Sequence, residues 1–67
     1  MSPNPEPDRL THTAVVWLGI AHRLQDRGND ALAVAIRAAM DRRRLDELVS
    51  VELSDDERAR VQAVLTE

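Results

Sequence analysis

Residues Ala14 to Ala21 read Ala-Val-Val-Trp-Leu-Gly-Ile-Ala, an unbroken apolar run that holds the only Trp, Tyr or Phe of the chain. On a helix turning about 100° per residue, this run and its flanks spread apolar side chains over an arc of about 200°, where an ordinary surface helix shows a stripe nearer 100°. Such a helix needs more than one neighbour. The chain has 67 residues and no cysteine, and a core of that size supplies only about 3 to 5 kcal/mol unless something staples it. Disulfides are excluded, and two histidines cannot complete a structural zinc site of the Cys/His kinds from one copy. Oligomerisation is the staple that remains.

The segment Met1 to Asp8 alternates Pro3, Pro5 and Pro7 with Asn4, Glu6 and Asp8, which forbids helix and brings nothing apolar to bury. It is expected to be a flexible Pro-rich tail over 1–8, ahead of a single helical domain over 9–67. Its acidity is the opposite of what a secretory signal needs. The apolar run is also far shorter than the about 20 residues of a membrane span. A cytoplasmic protein with no membrane contact is expected. All nine basic residues are Arg, which suggests a GC-rich bacterial or phage genome.

The first helix is expected from Arg9, capped by Asp8, to Arg27, where Gly28-Asn29 is a C-terminal stop. Leu10, Ala14, Trp17, Ala21 and Leu24 fall on one stripe, with Val16 and Ile20 on one shoulder, Leu18 on the other and Val15 isolated among polar residues. Trp17 is expected at the centre of the core. A second helix after Asp30 carries Leu32, Ala35, Ile36, Ala39 and Met40, and the short connection makes the two an antiparallel hairpin. The apolar face switches around Arg42 to Arg44, where a break is slightly preferred to a continuous helix. Val49, Val51 and Leu53 alternate with Ser50 and Glu52 as a short extended connector. Ser54 and Glu57 then form a capping box that opens a last helix bearing Val61, Val64 and Leu65. The fold class expected is all-α, a small helical bundle of three to four helices.

No catalytic constellation can be assembled: Ser2 lies in the tail, Ser54 is committed to a cap, and Ser50 has no histidine nearby in sequence. No phosphate-binding glycine motif is present. His22 and Asp26, four apart, read as an exposed pair rather than two ligands of a metal. No cofactor, no metal and no enzymatic activity are expected. Gly19 costs about 1 kcal/mol in mid-helix relative to Ala, which either is tolerated or marks a close helix crossing.

The surplus apolar arc points to protein interaction, with Val15, Val16, Trp17, Leu18 and Ile20 as the expected interface. The partner is expected to be another copy, giving a homodimer, or a larger assembly in which the chain is an accessory or regulatory subunit. The alternative is a dimeric helix-turn-helix-like DNA-binding regulator that uses Arg37, Arg42, Arg43 and Arg44. Ile20-Ala21-His22-Arg23-Leu24 resembles the opening of helix-turn-helix repressors, although Gln25 to Asp30 is longer than their tight turn. Val49 to Glu57 resembles the strand and first helix of ribbon-helix-helix proteins, with Glu52 placed where an anion would face DNA. A net charge of −3 disfavours a protein that depends on phosphate contacts, and Asp41, Asp46 and Glu47 largely cancel the arginines around them.

Overall fold

Arg9 to Thr13 reads Arg-Leu-Thr-His-Thr, which alternates in character and holds two β-branched residues, a pattern suited to a pleated, half-buried surface. In a computed structural model that describes residues 9–66, this segment is a strand, β1 (Arg9–Thr13). It is followed by α1 (Ala14–Asp26), α2 (Asp30–Ala39), β2 (Leu48–Glu52) and α3 (Asp55–Leu65). The expected all-α helical bundle is therefore corrected to a mixed fold of three helices and a two-stranded antiparallel sheet. The expected tail over 1–8 lies outside the described residues.

The register pairs Arg9 with Glu52, Leu10 with Val51, Thr11 with Ser50, His12 with Val49 and Thr13 with Leu48. Leu10 and His12 sit opposite Val51 and Val49 on the side turned to the helices, where all four are buried or half-buried. The outer face carries opposite charges at Arg9 and Glu52 and a 2.7 Å hydrogen bond between the Thr11 and Ser50 hydroxyls. The extended connector expected at Val49 to Leu53 is thus one half of a ladder whose other half was read as helix. Leu10 and Ala14 stand four apart, a spacing that continues the helical stripe, while Leu10 and His12 stand two apart on a strand. Only pairing with residues some forty positions away decides between them.

The start of α1 explains why no local signal marked it. Thr13 makes no side-chain cap. Instead the amides of Ala14 and Val15 donate to the carbonyls of Glu47 and Leu45, at 2.9 and 3.0 Å. The helix N-terminus is satisfied by a distant loop rather than by its own sequence.

At its other end the helix stops as expected. Gly28 adopts φ +85, the Gly28 amide donates to Gln25 and the Asn29 amide to Leu24, the paired bonds of a Schellman motif. Asp30 is the first residue of α2 rather than its cap, a position held by Asn29. α2 ends at Ala39 and the chain then turns through Arg42, a non-glycine residue at φ 66. The preferred break falls where the apolar face switches. The capping box of α3 is present as read, with Ser54 N–H donating to Glu57 and Glu57 N–H to the Ser54 hydroxyl.

Trp17 is fully buried between the helices and the sheet. Its Nε1–H donates to the Val49 carbonyl at 2.9 Å, and the His12 ring meets it edge-on at 5.3 Å. Around it Ala14, Ile20, Ala21 and Leu24 of α1 pack with Leu32, Ala33 and Ile36 of α2 and Val61 and Val64 of α3. Two core assignments change. Ala33 replaces Ala35, which faces outward, and Leu65 is exposed.

Candidate interaction surface

The residues expected to form an interface divide between core and surface. Trp17 and Ile20 are buried and Leu18 is half-buried against the core, so these three hold the fold together. Val15 and Val16 are exposed, at 50% and 41%. α2, α3 and the sheet together cover most of the wide apolar arc, and what is left uncovered is its edge.

That edge borders a groove of about 260 Å³ between α1 and α3, lined by Val16, Gly19, Ile20, Arg23, Val64 and Leu65. Five of the six are apolar or glycine. A Cβ at Gly19 would meet nothing within 4 Å, so no close helix crossing among the described residues uses this glycine or recovers its helical cost. Leu65, at 42% exposure, lies across the groove from Val16.

A second apolar group adjoins the first. Leu45 and Leu48 are 59% and 68% exposed. Their loop is tied to the start of α1 by the hydrogen bond from Val15 to Leu45, and Leu48 pairs with Thr13 in the sheet. The loop is held by Arg43, whose guanidinium donates to Glu47 at 2.7 Å, and by the Arg44 amide, which donates to the same carboxylate. These bonds keep the Glu47 carboxyl below its ordinary value. Local pattern alone does not mark this loop as a surface, because Leu45 and Leu48 are three apart, a spacing that a helix running on past Arg44 would show equally well.

The arginines of the alternative reading are placed as follows. Arg37 is on the exposed side of α2, Arg42 is in the left-handed turn, Arg43 pairs with Glu47, and Arg44 meets Asp46 at 3.6 Å. Acidic neighbours offset much of the cluster's charge. His22 and Asp26 form an exposed pair at 3.8 Å. Among the described residues, no three His, Cys, Asp or Glu side chains are placed to hold a metal ion, and no helix is long and apolar enough to cross a membrane.

The outward side of α2 was also missed. Ala31, Val34, Ala35 and Ala38 are all exposed there, which leaves a run of small apolar side chains interrupted only by Arg37. Comparison of the chain with protein families, with curated proteins and with solved structures finds no match.

Proposed function

We propose that this chain is a small cytoplasmic protein-interaction module without enzymatic activity of its own, which works by presenting the groove between α1 and α3 and the apolar loop beside it. The observation that carries this reading is the grouping of exposed large apolar residues. Of the six among the described residues, namely Val15, Val16, Val34, Leu45, Leu48 and Leu65, five line the groove or gather at the N-terminal end of α1. Single exposed apolar residues are ordinary, but a contiguous group beside a concave site marks an interaction surface. The groove's only charged residue is Arg23. It offers neither nucleophile nor general base, which suits a binding role and not a catalytic one.

The test is the size of the particle that carries the chain in an extract of the cells that produce it, measured by gel filtration. The wild-type chain is expected to elute well above its monomer mass. Val16→Asp, which places a carboxylate on an exposed wall of the groove, is expected to return it to the monomer position while circular dichroism of the purified variant stays helical. A wild-type chain that elutes as a free monomer from the extract overturns the reading.

A further inference from the structure

We infer that the occupant of the groove is the Leu45–Leu48 loop of a second copy, exchanged reciprocally across a two-fold axis that passes close to the start of α1. The inference rests on the proposed function and adds the identity of the partner.

Both halves of the contact are present on one chain. The groove has apolar walls in Val16, Ile20, Val64 and Leu65 and an open floor at Gly19. The loop presents two leucines three residues apart, and both are more than half exposed. The bonds from Ala14 to Glu47, from Val15 to Leu45 and from Glu47 to Arg44 hold its backbone in place. A loop ordered before contact loses little conformational freedom on binding.

Placement supplies the symmetry. Leu45 is bonded to Val15, and the next residue of α1, Val16, is a wall of the groove. The loop therefore meets the end of α1 at which the groove begins. A two-fold axis between them lets each copy give its loop and receive the other's, so the contact closes at two copies.

Charge agrees with the same pairing. The groove's one charged residue is Arg23. Between the two leucines stands Asp46, 80% exposed and only loosely engaged by Arg44 at 3.6 Å. Seating the leucines in the partner's groove brings Asp46 to the rim that carries Arg23, adding an opposite charge beside the contacts Arg23 makes within its own chain.

The full chain is tested by light scattering from about 1 µM to 1 mM, a range that reaches weak contacts. The wild type is expected to approach twice the monomer mass. Leu48→Asp removes the loop's contact and Val16→Asp the groove's, and each alone is expected to be monomeric with unchanged circular dichroism. Mixed in equal amounts, the two variants are expected to recover part of the dimer, because the intact loop of one fits the intact groove of the other. Variants that had merely unfolded would not do this. Arg23→Glu and Asp46→Arg are each expected to weaken the dimer at least tenfold, and together to restore it. Val34→Asp, at a more exposed valine on α2, is expected to leave it intact.

A wild type that stays monomeric throughout overturns the inference, as does one that grows into open-ended assemblies or a dimer broken by Val34→Asp. If the purified chain is monomeric while the extract still holds it in a larger particle, the second copy is refuted and the interaction surface stands. If the chain is monomeric in both, both are refuted.

Discussion

Trp17 shows how much one residue can settle in a small chain. Its ring fills the space between α1 and the sheet, and its indole N–H satisfies the Val49 carbonyl, so the largest apolar group and a hydrogen bond between distant parts of the chain coincide. Its place in the core follows from the sequence because it is the only large ring in the longest apolar run. Its use of β2 as a partner does not follow, since nothing near Trp17 in the chain names Val49. Gly19 is the opposite case. Alanine there meets no neighbour within 4 Å, so Gly19→Ala is expected to stabilise the dilute monomer by about 1 kcal/mol, through helix propensity alone. For a domain of this size that is a rise of about 4 to 8 °C in melting temperature. The added methyl also takes space from the groove floor, so the same variant is expected to dimerise less well. Thermal melts at low concentration and light scattering at high concentration check the two signs separately, and a glycine that was merely tolerated would give only the first.

At the scale of elements, the legible parts were those whose signals are local. The Gly28 stop, the Ser54–Glu57 capping box and the break near Arg42 each rest on residues within a few positions of one another, and each stands in the structure. β1 was misread as helix because a strand of five residues shows little periodicity. Its partner lies across the whole α1–α2 hairpin, and the amides that begin α1 are capped by carbonyls from the same distant stretch. The loop that carries those carbonyls should respond to acid. Glu47 is held below its ordinary value of 4.5, first by the hydrogen bond from Arg43 and then by that from the Arg44 backbone. A carboxyl depressed in the folded chain contributes stability that is fully present above its unfolded value and is lost as pH falls through the lower folded one. Stability is therefore expected to decline as pH drops below about 4.5, with the Ala14 and Val15 amides losing protection from hydrogen exchange early. Glu47→Gln is expected to flatten this part of the profile and to lower stability slightly at neutral pH. A variant whose acid profile matches the wild type would show that the loop does not depend on this carboxylate.

For the whole molecule, the tension read from the sequence persists in a different place. The arc on the first helix is mostly covered, because α3 and a sheet absent from the all-α expectation pack on it beside α2. The uncovered apolar surface has moved to the groove edge, the Leu45–Leu48 loop and the outward side of α2. The core that results is modest: among the described residues, three of the thirteen buried apolar ones are alanine, and a domain this small buries a lower fraction of its surface than a larger one. Association that involves only the folded chain then adds stability by mass action. The melting temperature of the wild type is expected to rise with protein concentration, by several degrees over a hundredfold range that spans the dimer's dissociation constant, since binding at 100 times that constant contributes about 2.7 kcal/mol. Val16→Asp, which leaves the core untouched and places its charge on an exposed position, is expected to melt at one temperature whatever the concentration. The two melting curves should then meet on dilution, because below the dissociation constant both report the same monomeric fold. Differential scanning calorimetry on the two proteins over one concentration series measures this directly. A wild type with a concentration-independent melt would mean that the monomer's own core accounts for all of its stability and that the exposed leucines contribute nothing to it.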